Sequence, residues 1–283
     1  MEQAEKQSEA AMKILGIDTS CDDTSAAVMA DEHRVLSNVV NSQVRLHHSY
    51  GGVVPELASR EHIRNIAPVV NEALLRADTG INDIDGIAVT IGPGLIGSLL
   101  VGLYYAKGLA LTQKIPLVTV NHLEGHILSI FLEDTKPEFP FVALTVSGGH
   151  TSLYHVTGRG AYTQLGQTLD DAAGEAFDKV AKILGLGYPG GAVIEKMALS
   201  GVKDRIDFPR AQISPESLDF SFSGLKTAVS LFINKWQNDE KIRSEIKRED
   251  IAASFQEAVI DVLAQKLVRA VEKTGVDSMV VAG

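Results

Sequence analysis

The sequence predicts an α/β fold in which one arrangement of strands and helices occurs twice. Two segments, 13–30 and 141–156, each contain an apolar strand, a short polar or glycine-rich turn and a second apolar strand. Helical and buried-strand patterns follow each hairpin. With 45% hydrophobic and 22% charged residues, the composition is typical of a globular protein. A duplicated α/β architecture follows, although no residue-level repeat is visible.

The first series begins with ILGI and AAVM, which flank the acidic turn DTSCDDTS. Apolar residues at helical spacing predict a helix over 55–76, and a segment rich in small residues predicts another over 95–112. The remaining strands of this series are expected at about 35–40, 84–91 and 117–120.

The second series opens after the linker LEDTKPEFP. Its hairpin is expected to pair a strand at 141–146 with one at 151–156 across the turn SGGH. The later elements are helices at about 171–184, 224–235 and 248–274 and a strand at 278–282.

Several classes of protein are excluded by composition. Cys21 is the single cysteine, which rules out an internal disulfide and fits a reducing compartment. No apolar run reaches the roughly 20 residues of a membrane span, so no membrane partner is expected. The first 12 residues resemble no targeting peptide and are predicted to form a disordered extension, which makes a cytoplasmic location the default. The net charge of −10 implies that any nucleic-acid binding needs a local basic surface or a basic partner.

The segment VNHLEGHILS contains two histidines four residues apart, His122 and His126. In a helix both imidazoles share one face, where they could bind zinc or iron, or could simply hydrogen-bond to the backbone. Glu124 lies two places after the first histidine, whereas zinc proteases of the HExxH or HxxEH type place their glutamate differently. The pair therefore resembles two metal ligands on one helix that lack the general-base glutamate of a zinc protease. A third ligand must come from elsewhere.

Two glycine-rich turns are candidate phosphate sites. Ser147, Gly148 and Gly149 could present backbone N–H groups to an anion, or could form a plain hairpin turn. The stretch IGPGLIG, residues 91–97, matches the GxGxxG pattern, but Asn121 stands where a dinucleotide site needs an acidic residue.

Acidic residues accompany both hairpins. Asp18, Asp22 and Asp23 crowd the first turn, where they could position a cation or water near phosphate, or could form Asx turns. In the second half, the helix that carries Asp178 adjoins a glycine turn at 187–191, so its carboxylates could receive substrate hydroxyls. Alone, the same pattern would indicate an ordinary surface helix.

These motifs together resemble one known family. In chain order they are ILGIDTSCDDT, YGGVVPELASREH, GPGLIGSLLVG, NHLEGH, VSGGHT, DDAAGEAFDKVAK, GYPGG and DFSFSGLKTA. They closely resemble the TsaD family, of Kae/Qri/Gcp type, which synthesises threonylcarbamoyladenosine in tRNA. The resemblance implies the actin/sugar-kinase/Hsp70-like fold, with an N-terminal lobe at 13–132 and an incomplete C-terminal lobe at 141–283.

The resemblance also implies a reaction, in which the threonylcarbamoyl group of threonylcarbamoyl-AMP moves to N6 of the adenosine beside the anticodon of ANN-decoding tRNAs. His122 and His126 would bind one iron or zinc per subunit, and Asp18 would join them as a catalytic position facing the cleft. Threonylcarbamoyl-AMP, or ATP or AMP, would occupy the cleft, with Mg as a further candidate ion. The residues expected to bind substrate or nucleotide are Thr145, Val146, Ser147, Gly148, Gly149, Asp178, Gly191 and Glu195.

Family members continue beyond Gly283, to an aspartate that is the third protein ligand of the metal. Because losing one of three ligands weakens metal binding, we hypothesise that this polypeptide alone is inactive. The implied partners are tRNA and, in bacteria, a TsaB-like paralogue and a TsaE-like ATPase. Two alternatives are a metal-dependent glycoprotein endopeptidase and a non-catalytic nucleotide-binding subunit of the same assembly.

Overall fold

The structure is a computed structural model that describes residues 11–31, 33–211, 213–214 and 216–283. The chain divides into two compact units. The first unit comprises Met1–Gln43 and Val53–Gly125, and the second comprises Val44–Gly52 and His126–Gly283. Residues 1–10 of the predicted extension 1–12 lie outside the described residues. The lobe bounds of 13–132 and 141–283 stay predictions.

A five-stranded sheet of order β3-β2-β1-β4-β5 forms the centre of the first unit. Its strands are β1 (Lys13–Asp18), β2 (Asp23–Ala30), β3 (Arg34–Ser42), β4 (Gly86–Gly92) and β5 (Leu117–Asn121). The first three strands form an antiparallel meander, and β4 and β5 run parallel to β1. Thr24, Ala26, Val28 and Ala30 of β2 are buried while the residues between them are less so, as expected for a strand with one face on a core.

Two helices cover this sheet, α2 (Pro55–Arg76) and α3 (Ile96–Gln113), and they also pack on each other. Proline suits the first position of α2 because its missing N–H would have no helical partner there. Ile66, Val69 and Val70 recur on the buried face of α2. Burial of each contributes about 1.5–3 kcal/mol relative to exposure, which explains why this face holds the helix on the sheet.

The second unit repeats this strand arrangement. Its four-stranded sheet has the order β8-β7-β6-β9. The strands are β6 (Phe141–Val146), β7 (Thr151–Gly158), β8 (Ala161–Gln167) and β9 (Met279–Ala282). Again three strands form an antiparallel meander, and β9 runs parallel to β6 as β4 does to β1. The hairpins 13–30 and 141–158 match position by position, which confirms the predicted duplication.

The described residues form further helices. They are α1 (Val44–His47), α4 (His122–Leu128), α5 (Ala173–Ile183), α6 (Gly190–Ala198), α7 (Ser223–Asn238), α8 (Glu240–Glu245) and α9 (Arg248–Thr274). The longest, α9, ends at Gly275, whose φ of 67° is the left-handed conformation that commonly closes a helix. Phe141, Phe220, Phe222 and Phe255 are fully buried in this unit.

The helices predicted at 55–76 and 248–274 are confirmed with those bounds. Strand β8 and helix α6 were not predicted. Most of β8 is exposed and its sequence AYTQLGQ lacks apolar alternation, whereas α6 begins with two glycines that suggested a turn. None of the helices among the described residues combines the length and apolar character that a membrane crossing requires.

Candidate active site

Helix α4 starts where β5 ends, and the side chain of Asn121 sets this boundary. Its Oδ1 accepts hydrogen bonds from the backbone N–H groups of Leu123 (2.9 Å) and Glu124 (3.3 Å). This N-terminal cap satisfies donors that have no partner within the helix. The cap starts α4 at His122 and places His126 one turn later.

The His122 ring is oriented by the β1–β2 turn. Its Nδ1 lies 3.1 Å from Asp18 Oδ2 and 3.2 Å from Ser20 Oγ. Asp18 also accepts hydrogen bonds from the Thr90 hydroxyl (2.6 Å) and the Ser20 backbone N–H (2.7 Å). Burial raises the pKa of Asp18, but the hydrogen bonds from His122, Thr90 and Ser20 outweigh it and hold the pKa well below its usual range.

An ionised carboxylate can only accept, so this contact places the ring proton of His122 on Nδ1 and leaves the lone pair on Nε2. Histidines that bind metals usually donate their other ring N–H to a carboxylate in this way. The chemistry of His122 therefore fits a zinc or iron ligand, and His126 adds a second imidazole on the same short helix. Within the described part of the chain, no three His, Cys, Asp or Glu side chains cluster as a metal site.

The IGPGLIG stretch packs against the same turn. The Leu95 backbone N–H donates to Ser20 O at 2.7 Å. A Cβ at Gly94 would overlap the Ser20 carbonyl, so this glycine is required by a close backbone approach. The requirement for glycine at position 94 is thus explained by packing, with no need of a bound dinucleotide.

The second unit contains a pocket of about 520 Å³. Its walls are formed by the β6–β7 turn, the first turns of α5 and α6, and one face of α9. Six of the predicted nucleotide residues line it: Val146, Ser147, Gly148, Asp178, Gly191 and Glu195. Gly149 does not line it, and Thr145 is buried in β6, where its hydroxyl bonds to Ser152 O at 3.3 Å.

Close backbone packing shapes the glycine-turn side of this pocket. The Gly174 N–H at the start of α5 donates to Ser147 O at 3.2 Å. A Cβ at Gly174 would lie 2.6 Å from that oxygen and 2.7 Å from Gly148 Cα. Ser147 also ties the turn together, because its Oγ accepts the His150 N–H at 3.1 Å. The turn can therefore sit this close to α5 only because residue 174 is glycine.

Asp178 supports the opposite side of the pocket. Its Oδ1 accepts the Gly190 N–H at 2.7 Å, at the start of α6. Burial raises the pKa of this carboxyl, and the hydrogen bond from the Gly190 N–H lowers it. The negative charge of Glu175 raises the pKa further, so that the net shift is upward. One of its two oxygens is thus engaged with the protein backbone, so Asp178 positions the turn that leads to Gly191.

The apolar wall of the pocket was not predicted from the sequence. Val259, Ile260 and Leu263 of α9 form it with Phe177 of α5, and the polar Gln256 lies beside them. The sequence signal was Ile260, an apolar residue outside the buried stripe of α9, and the structure shows that it is 47% exposed. Periodicity alone could not distinguish this face from ordinary core.

A carboxylate pair next to the pocket joins two of the sequence motifs. Asp170 accepts hydrogen bonds from the Ser221 and Ser223 hydroxyls (both 2.6 Å) and from the Phe222 N–H (2.8 Å), which caps the start of α7. Asp171 pairs with Lys179 (2.6 Å) and Lys226 (2.9 Å). These bonds hold the DDAAGEAFDK and DFSFSGLK segments together.

Comparison with known proteins identifies close relatives. The sequence profile of the TsaD family, described as tRNA N6-adenosine threonylcarbamoyltransferase, matches residues 34–283. A protein of that name from Syntrophus aciditrophicus is 54% identical over 96% of this chain and 79% of its own length. Another from Desulforapulum autotrophicum is 56% identical over 96% of this chain and 80% of its own length.

A solved structure resembles the fold at much lower identity. It is component A of (R)-2-hydroxyglutaryl-CoA dehydratase from Acidaminococcus fermentans, with a TM-score of 0.55 and 14% identity. The match covers 96% of this chain and 82% of that one. The likeness concerns the fold alone, which is the duplicated actin/sugar-kinase/Hsp70-like fold.

Proposed function

This chain belongs to the TsaD family of tRNA N6-adenosine threonylcarbamoyltransferases, and we propose that it transfers a threonylcarbamoyl group from threonylcarbamoyl-AMP to tRNA. The acceptor is N6 of the adenosine beside the anticodon in ANN-decoding tRNAs. The observation that carries this proposal is the 54% identity to a named transferase over 96% of the chain. The pocket of the second unit supports it.

The pocket suits the AMP part of the donor. Its volume of about 520 Å³ lies within the range of small-molecule sites. The apolar residues of α9 offer a surface for adenine, and the turn at Ser147 and Gly148 offers backbone N–H groups to phosphate. Glu195 is the candidate acceptor for ribose hydroxyls, while Asp178 holds the turn at Gly191. ATP or AMP would use the same contacts, with Mg as a candidate ion at the phosphates.

We assign His122 and His126 as the ligands that this chain supplies to one iron or zinc per subunit. A metal held by these two histidines would supply Lewis-acid chemistry at the carbamoyl carbonyl. Asp18 and Ser20 keep the His122 ring in the tautomer and orientation that ligation requires.

The chemistry is a single acyl transfer. The N6 amine of adenosine attacks the carbamoyl carbon, a C–N bond forms, the bond from that carbon to the AMP phosphate oxygen breaks, and AMP leaves. The amine proton passes to solvent, and no covalent enzyme intermediate is required. The protein therefore contributes by positioning donor and acceptor, in addition to holding the metal.

The partners proposed are tRNA, a TsaB-like paralogue and a TsaE-like ATPase, all in the cytoplasm. Helix α3 exposes an apolar stripe that supports a protein partner: Ile96 (74% exposed), Leu100 (40%), Tyr104 (66%) and Leu111 (82%). The net charge of −10 further suggests that tRNA binding is shared with another subunit.

The two alternative functions are less favoured. The relatives carry the transferase name, and Glu124 is not placed as the base of a zinc protease. A non-catalytic nucleotide-binding subunit would also have the pocket, but it would not need the contact between His122 and Asp18.

The test is a reconstituted transfer reaction. It combines this chain with a TsaB-like paralogue, a TsaE-like ATPase, threonylcarbamoyl-AMP, iron or zinc, and an ANN-decoding tRNA, and nucleosides are analysed by mass spectrometry. Iron or zinc is supplied in excess, because two histidines alone bind a metal weakly. Under these conditions, with the partners present, we expect threonylcarbamoyladenosine that is lost with His122→Ala and retained with Leu199→Ala, an exposed residue outside the site. Absence of product from the unsubstituted chain in the full assembly would overturn the proposal.

A further inference from the structure

The side chain of Thr19 enters the hydrogen-bond ladder of helix α3. Its hydroxyl donates to Ser98 O at 2.7 Å and receives the Gly102 N–H at 3.2 Å. In an uninterrupted α-helix these two backbone groups, four residues apart, would bond to each other. Thr19 is completely buried, so its hydroxyl bridges one rung of α3 without competition from water.

This insertion depends on a glycine. A Cβ at Gly102 would overlap Thr19 Oγ. Only a residue without a side chain leaves room for the hydroxyl between the two backbone groups. A smaller apolar residue at position 19 would let the Gly102 N–H bond directly to Ser98 O, so α3 has no need of the bridge for its own stability.

The bridge instead immobilises the turn. Thr19 lies between Asp18 and Ser20, the two residues whose side chains contact His122 Nδ1 at 3.1 and 3.2 Å. A shift of about 0.5 Å in this turn would move both contacts beyond the usual hydrogen-bond range. The Leu95 N–H to Ser20 O bond secures the same turn at the start of α3.

A second anchor reaches the turn from helix α2. His62 is fully buried, with Nε2 3.0 Å from Cys21 O and Nδ1 2.8 Å from the Thr24 hydroxyl. Because a carbonyl only accepts, Nε2 carries the proton and Nδ1 accepts from Thr24. The turn is thus held on both sides by helices.

We propose that Thr19 is a positioning residue for the transfer reaction, acting through the β1–β2 turn to orient the His122 ring. The inference rests on the proposed function and on the contact between Asp18 and His122. Thr19 touches neither donor nor acceptor, and its effect comes from holding Asp18 and Ser20 in place.

Three matched variants test this role. Thr19→Val keeps the shape but removes the hydroxyl, and Thr19→Ser keeps the hydroxyl. Ser98→Ala removes a buried hydroxyl that has no hydrogen-bond partner among the described residues, from the same rung of α3. All are compared as full chains in the reconstituted assembly, below their unfolding temperatures.

We expect Thr19→Val to lower kcat at least about tenfold while KM for tRNA and for threonylcarbamoyl-AMP changes less than twofold. Thr19→Ser should restore kcat to within about threefold of the parent, and Ser98→Ala should match the parent. A folded Thr19→Val protein with parental kcat would overturn the inference. If Thr19→Val does not fold, Gly102→Ala, which displaces the hydroxyl, is judged by the same criterion.

A spectroscopic readout separates this inference from the proposed function. Imidazole ¹⁵N resonances of the full chain, with His122 assigned by its loss in His122→Ala, should show one tautomer in the parent and averaging in Thr19→Val. A parent that yields no modified adenosine would refute the proposed function, while the resonances would still decide the positioning role. Identical His122 resonances in parent and Thr19→Val would refute that role.

Discussion

The β1–β2 and β6–β7 turns occupy the same place in the duplicated fold, yet their chemistry is opposite. Residues 19–22 and 147–150 each link two antiparallel strands of matching length. The first turn follows a carboxylate, Asp18, that orients an imidazole. The second follows Val146 and contains two glycines, of which Gly148 lines a pocket together with Ser147.

Each turn packs closely against a glycine at or just before the start of a neighbouring helix. Gly94 meets Ser20 before α3, and Gly174 meets Ser147 and Gly148 in α5. The comparison shows that duplication preserved the backbone arrangement while the side chains diverged. One copy holds a charged group in place, and the other forms part of a pocket wall.

Asp18→Asn should have the largest effect, because it removes the charge that distinguishes the first turn. We expect transfer to fall about 10- to 100-fold, the range seen when partners of metal-ligating histidines are changed. Since the pKa of Asp18 lies well below its usual range, the carboxylate is ionised at neutral pH. Steady-state transfer rates with iron or zinc supplied measure this loss. An Asn variant with parental rates would show that the first turn needs no charge.

Gly174→Ala should damage the second turn by overpacking. The added Cβ would lie 2.6 Å from Ser147 O, so the free energy of unfolding should fall by about 1–3 kcal/mol. We expect AMP affinity, measured by calorimetry, to fall at least about tenfold because the turn must move. Gly224→Ala, whose Cβ would meet nothing within 4 Å, is the control. Equal affinities for the two variants would contradict the close approach.

Ile260→Ala tests the apolar wall, which has no counterpart in the first turn. Because Ile260 is 47% exposed, its truncation should scarcely change stability. The loss of apolar contact with adenine should weaken AMP binding about three- to tenfold. Leu231→Ala, at a 67% exposed position of α7, serves as the control. Unchanged AMP affinity would show that the adenine ring does not bind against Ile260.

Asp170→Asn should have the smallest effect on transfer. This carboxylate of the second unit stabilises the start of α7, whereas Asp18 orients an imidazole. Burial raises the pKa of Asp170, but hydrogen bonds from Ser221, Ser223 and backbone N–H groups lower it from 3.8 to about 2. The stability it contributes is present above about pH 4 and is lost as pH falls towards 2.

The asparagine variant should therefore be less stable at pH 7, by about 1 kcal/mol as for other helix caps. This difference should shrink between pH 4 and 2, as measured by urea unfolding. Asp207→Asn, at a fully exposed carboxylate, provides the control. A difference that persists unchanged at pH 2 would show that the Asp170 charge is not the cause.

Local sequence patterns predicted much of the fold because they record local preferences. Apolar residues at helical spacing and a proline at the first position defined α2, and the apolar pattern defined α9. Strand β8 was not predicted because it is mostly exposed and lacks apolar alternation, although its partner β7 directly precedes it. Helix α6 was not predicted because its first two residues are glycines, and its first N–H group is held by the Asp178 carboxylate 12 residues earlier.

The sequence by itself determined the duplicated α/β fold, the family, and which residue types gather near the glycine turns, since these follow from periodicity and from ordered motifs. Only the tertiary structure decided which of them meet. The contacts of Asp18 with His122, of Thr19 with α3 and of Gly174 with Ser147 join residues far apart in the chain. Their distances depend on how strands and helices pack, and packing is not a local property of the sequence.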